Sequence, residues 1–61
     1  MNVLLADDHT LVRAGLKALL ETIEGVTVVG DVGRGDEALA AISQHKPDVA
    51  VLDLSMPGLT G

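Results

Sequence analysis

The sequence predicts an α/β fold with a parallel sheet, and three observations carry that expectation. Short apolar runs of strand length alternate with segments whose apolar residues recur every three or four positions. One run, Val49-Ala50-Val51-Leu52, lies between Asp48 and Asp53, with Pro47 before it and Pro57-Gly58 after it. Such an uninterrupted run, bounded by breakers, marks a strand buried on both faces, as in parallel sheets. Finally, carboxylates follow two of the runs directly: Asp7-Asp8 after the first and Asp53 after the last. Ligands of open α/β sheets bind outside the carboxyl ends of the strands. On this segment alone, Asp53 as a simple strand terminator weighs as much as Asp53 as a ligand-binding group.

In chain order, Asn2–Ala6 is the first strand, cut off by Asp7-Asp8. From about His9 to Glu24 the period becomes helical, with Val12, Gly15, Leu16, Leu19, Leu20 and Ile23 on one stripe. Asp8 or Thr10 is placed to cap this helix, and Gly25 to stop it. Val26–Gly30 is rich in β-branched residues and reads as the second strand. Residues Asp31 to Gly35 form a loop, and Asp36 is the expected N-cap of a second helix reaching about Gln44. That helix should bury Leu39 and Ile42, with Ala38 and Ala41 alongside. Pro47 then leads into the third strand.

The order is therefore β-α-β-α-β. Right-handed crossovers make the strands parallel. In the strand order 2-1-3 the third strand is an edge, yet it carries none of the charge, proline or bulge that guards natural edges. The expectation is that residues 1–61 are the front half of a larger domain. With 61 residues and no aromatic side chain, the core is marginal. No cysteine is present, which excludes disulfides and thiolate metal sites and fits a reducing, cytoplasmic setting. The net charge of −5 and four dispersed Lys and Arg residues exclude a basic nucleic-acid patch. No apolar run is long enough to span a membrane.

In a parallel sheet, the ends of strands one and three face the same edge, so Asp7 and Asp8 should lie beside Asp53. Three such carboxylates repel unless a cation neutralises them. A hard divalent ion such as Mg²⁺, which takes oxygen ligands, suits them better than zinc, which favours His and Cys. The plainer alternative makes Asp7 and Asp8 ordinary helix-start acids, favoured by the helix dipole. His9 reads as a partly exposed helix-start residue, and His45 as a favourable charge at a helix C-terminus. Met56 reads as a loop hydrophobe, and Gly33 and Gly35 do not match a phosphate-loop spacing.

Taken together, Val3–His9, Leu11–Leu16, Val28–Gly30, Glu37–Leu39 and Pro47–Gly58 resemble the receiver domain of two-component response regulators. The Asp7-Asp8-His9 opening and the Leu11-Val12-Arg13-Ala14-Gly15-Leu16 helix are similar to its NarL/LuxR (FixJ-like) branch. The resemblance implies a flavodoxin-like, or CheY-like, sheet of order 2-1-3-4-5, of which this chain supplies about half. It implies that Asp53 is the phosphoacceptor, taking a phosphoryl group from a sensor histidine kinase. Asp8 corresponds to a direct Mg²⁺ ligand, Asp7 to a direct or water-mediated one, and Ser55 to a ligand through its backbone carbonyl. By the same resemblance, Pro57 is expected to keep Met56 extended and Gly58 to permit a positive φ.

Some of the family's parts have no counterpart here. Thr10 stands where the branch often has proline. Lys46-Pro47 mimics a family Lys-Pro pair but precedes strand three. The hydroxyl residue expected after strand four, the switch aromatic on strand five and the phosphoryl-pairing lysine just beyond it are not among these residues, nor is a DNA-binding helix-turn-helix. DNA is therefore expected only through an output domain, and the 61 residues alone should not support an effective phosphorylation cycle. They are not expected to be an enzyme. Two other readings stay open: an interaction module that homodimerises through its third strand or by exchanging elements, and a Mg²⁺-dependent phosphohydrolase. Such a hydrolase would want an Asp where Ser55 stands.

Overall fold

Val3, Leu4, Leu5 and Ala6 are the most deeply buried apolar run, none more than 2% exposed. They form the centre of the sheet, which requires neighbours on both sides and on both faces. The computed structural model describes residues 1–53. Its elements are β1 (Asn2–Ala6), α1 (Thr10–Glu21), β2 (Thr27–Val32), α2 (Gly35–His45) and β3 (Val49–Leu52). The three strands are parallel in the order β2-β1-β3. The expected fold class and strand order are those observed. The crossovers run in opposite directions across the sheet, so a common right hand puts α1 and α2 on opposite faces.

The α2 face is built from small residues. Ala38 packs on Ala6 with Val32 against them, and Ala41 is also buried one turn on. Gly30, on the same face of β2, is a close approach: a Cβ there would lie 3.2 Å from Leu4 Cδ1. The expected burial of Leu39 is not observed, since it is 62% exposed. Ala38 and Ala41 aim the helix at the sheet, and Leu39 lies about 100° further round it. On α1, only Leu16 and Leu20 of the stripe are half-buried, while Val12, Leu19 and Ile23 are exposed. The stripe is wider than the surface that β1 and β2 offer.

The element ends also differ from expectation. α1 stops at Glu21 rather than Glu24, because the Thr22 hydroxyl donates to the Leu19 carbonyl at 2.6 Å. The Thr22 and Ile23 amides then bond three residues back, tightening the chain. Gly25 serves the turn into β2, with φ +85. The N-cap of α1 is His9, not Asp8 or Thr10, and that of α2 is Arg34, not Asp36; neither helix has a side-chain cap. Asp36 sits instead in the first turn, accepting from Arg34 Nε at 3.0 Å. β2 runs two residues beyond the expected Gly30. A register shift between Val3 and Leu4 leaves Asp31 and Val32 paired with Leu5 and Ala6.

β3 pairs with β1 from Val3↔Val49 to Ala6↔Leu52. Its Val49, Ala50, Val51 and Leu52 are all exposed, so its other edge and faces are bare among the described residues. The packing makes a quantitative prediction. Leu5→Ala should cost about 2–5 kcal/mol in urea unfolding of the full-length protein, as truncations at fully buried leucines do. Gly30→Ala should also destabilise, because Leu4 is fully buried and has little room to give the few tenths of an ångström that a Cβ needs. A Leu5→Ala variant as stable as the parent would contradict this core.

Candidate metal centre at the edge of the sheet

Two ladders carry the acidic residues to one rim. The Asp53 amide donates to the Ala6 carbonyl at 3.0 Å, continuing the β1–β3 pairing by one step. The Asp7 amide donates to the Val32 carbonyl at 3.0 Å, continuing the β1–β2 pairing likewise. Asp7 is therefore tied to β2 one step past the end of β1, and it is buried, at 9% exposed. Its carboxylate Oδ1 accepts the His9 amide at 2.8 Å, which fixes the side chain over the turn that enters α1. Asp8 lies inside that turn.

Asp7, Asp8, His9 and Asp53 each present one ligand atom, all within 4.8 Å of one another. The convergence of Asp7, Asp8 and Asp53 expected from the strand pattern is what the structure shows. Their side chains are 13%, 33% and 25% exposed, so the rim stays open to a reactant. Ser55, Met56, Pro57 and Gly58 lie outside the described residues.

His9 is the exposed helix-start residue expected, the N-cap of α1 with a side chain 64% exposed, and its ring also joins the acidic group. Its Nδ1 lies 3.0 Å from Asp7 Oδ1, 3.0 Å from Asp8 Oδ1 and 3.6 Å from Asp53 Oδ2. The hydrogen bond to Asp7, and then the charge of Asp8, raise its pKa above the ordinary 6.5. When protonated, this imidazole adds positive charge among the three clustered carboxylates. Adjacency to Asp7-Asp8 was the only signal in the sequence, and adjacency does not say which way a helix-start side chain turns.

The donor set fits a hard cation. Carboxylate oxygens are the ligands Mg²⁺ prefers, and bonds of about 2.0–2.1 Å place opposite ligands about 4.2 Å apart. Oxygens within 4.8 Å reach that spacing by small side-chain rotations. The N-terminus of α1 directs its partial positive charge towards the same rim, which favours anionic groups there.

Comparison with known proteins gives a consistent result. Residues 3–61 match the response regulator receiver domain. Over all 61 residues the chain is 48% identical to the response regulator UvrY of Escherichia coli K12, and it spans 28% of that protein's length. The signal receiver domain of the putative response regulator NarL from Mycobacterium tuberculosis superimposes with a TM-score of 0.90 at 46% identity. That match covers 93% of this chain and 46% of the other. RcsB from Salmonella enterica serovar Typhimurium, bound to promoter rprA in the presence of phosphomimetic BeF₃⁻, matches with a TM-score of 0.89 at 41% identity. There the match covers 95% of this chain and 29% of that one.

The environment of His9 yields a direct test. In metal-free protein, an NMR titration of its ring should give a pKa above 6.5, and Asp7→Asn should lower it. Because the folded value is raised, bound proton stabilises the fold below pH 6.5. That contribution is lost as pH rises through the folded value. An unshifted titration in the parent would mean that the ring does not sit among the carboxylates.

Proposed function

Because the chain belongs to the response regulator receiver domain family, we propose that it accepts a phosphoryl group on Asp53 from the phosphohistidine of a sensor kinase, with Mg²⁺ at Asp7, Asp8 and Asp53. The observation that carries this reading is the meeting of the three carboxylates at the carboxyl edge of the sheet. Residues 1–61 are assigned to the N-terminal half of the receiver. The exposed apolar β3 fits that assignment, since it is composed for a neighbouring strand. It also leaves the phosphoryl-pairing lysine and hydroxyl to later residues.

Asp53 is the nucleophile. One of its carboxylate oxygens attacks phosphorus as the bond to the imidazole nitrogen breaks, so the product is an acyl phosphate and the imidazole leaves with the electron pair. Asp53 keeps its place because its own amide is tied to Ala6, which leaves the carboxylate facing the rim. Asp7 and Asp8 would hold the cation, Asp7 from a buried and hydrogen-bonded position and Asp8 from a more exposed one. By resemblance to the family, the Ser55 backbone carbonyl, outside the described residues, would be the further ligand. When bound, Mg²⁺ neutralises the carboxylates and the incoming phosphoryl oxygens, the main electrostatic obstacle to the transfer. His9 is free to rotate outward, being 64% exposed.

The same reading places the protein in the cytoplasm, where it serves a transcriptional output domain. RcsB was solved on promoter DNA, and the present 61 residues carry no basic patch for such contact. Receiver chemistry of this kind modifies the protein itself and does not make it a turnover enzyme.

Full-length protein should take up label from phosphorylated kinase or acetyl phosphate in the presence of Mg²⁺, and Asp53→Asn should abolish it. Unchanged uptake in that variant would remove Asp53 from its role. Asp8→Asn should weaken Mg²⁺ binding, measured calorimetrically, by at least the roughly 10-fold typical of disturbed metal sites. Equal affinity in parent and variant would remove Asp8 from the ligand set.

A further inference from the structure

Arg13 is one of the charged residues of α1 that the proposed chemistry does not use, and its position is specific. Its Nη1 donates to the Asp7 carbonyl at 2.7 Å. Its Nε lies 3.9 Å from Asp31 Oδ2 on β2. The guanidinium side chain is only 21% exposed. In a parallel ladder, a residue whose amide donates to one neighbour offers its carbonyl to an amide two residues further along. Asp7 donates to Val32, but β2 ends at Val32, and Arg13 fills the place where the next rung would stand.

Gly33 makes the room. A Cβ built on Gly33 would lie 2.7 Å from Arg13 Nη1 and 3.9 Å from the Asp7 carbonyl oxygen. Gly33 is not among the positive-φ residues, so its backbone does not itself demand glycine. The missing side chain is what the guanidinium occupies. From this we propose that Arg13 is a positioning residue for the metal centre: seated in the Gly33 slot, it clamps the Asp7 carbonyl and so fixes the Asp7-Asp8 turn at the end of β1. This rests on the reading of Asp7, Asp8 and Asp53 as the cation site. Arg13 touches neither cation nor phosphoryl group. It acts through the backbone of a ligand, joining α1, the end of β1 and the end of β2.

The test is Mn²⁺ binding by full-length protein, followed from the EPR signal of the free ion, alongside circular dichroism to measure the folded fraction. Arg13→Ala should weaken Mn²⁺ binding about 10-fold per folded molecule, the usual scale for partners that orient metal ligands. Gly33→Ala should do the same, because the flexible guanidinium is what gives way to the new methyl group. In the double variant the two losses should not add, since Gly33 has nothing to accommodate once Arg13 is gone. Arg13→Lys, which keeps charge but offers a point donor in place of a fork, should restore part of the affinity.

A purely structural role for Arg13 would lower thermal stability and leave the affinity of folded molecules unchanged, and that result overturns the proposal. So would fully additive losses in the double variant. Failure of the parent protein itself to bind Mn²⁺ would overturn the cation site first, and this inference with it.

Discussion

Mutual repulsion of three carboxylates is the constraint on which the rest of the structure bears. Asp7, Asp8 and Asp53 are brought together by backbone pairing, and no side-chain preference would assemble them otherwise. β1 is gripped on both sides, and the pairings continue one residue past each strand end, to Asp7 and to Asp53. A sheet that buries Val3 to Ala6 this completely cannot slide to relieve the charge, because a one-residue slip would turn every buried side chain to the wrong face. The folded core therefore holds the acids together, and positive charge must come from elsewhere.

Three sources of positive charge meet them, each at a different depth. The N-terminus of α1 contributes its dipole from beneath. Arg13 reaches the backbone of Asp7 from the β2 side without entering the cluster. His9 stands among the carboxylates, with Nδ1 within 3.6 Å of all three. Imidazolium is a softer and more removable partner than a hard divalent ion, and it is largely exposed. On the proposed reading, a cation with better oxygen affinity would displace the His9 ring from among these acids.

Much of this was legible in the sequence because it depends on period and connection alone. Alternating strand and helix periods give parallel strands, parallel strands share an edge, and Asp7-Asp8 and Asp53 are the residues that leave the core there. The central place of β1 and the edge place of β3 came from the family resemblance, which implies the order 2-1-3-4-5. Less legible were features set by how far a side chain reaches or by small shifts in register. Leu39 has the composition of a buried residue, yet Ala38 and Ala41 decide which way α2 faces. Asp31 and Val32 look like loop residues until the shift at Val3–Leu4 lengthens β2. Gly33 matched no phosphate-binding spacing, and its use became visible only as the space beside Arg13. Thr22 ended α1 through its own hydroxyl, a local bond that competes with helix at any threonine.

The central claim is that Asp7, Asp8 and Asp53, held together by the sheet, take one cation at the rim. A crystal structure of the full-length protein grown with Mg²⁺ tests it most directly. The account predicts octahedral density with the Asp8 and Asp53 carboxylates at about 2.0–2.1 Å, Asp7 bound directly or through one water, and the His9 ring turned outward. Density for the ion at any other group of residues, or a His9 ring still seated among the three carboxylates at saturating Mg²⁺, would contradict it.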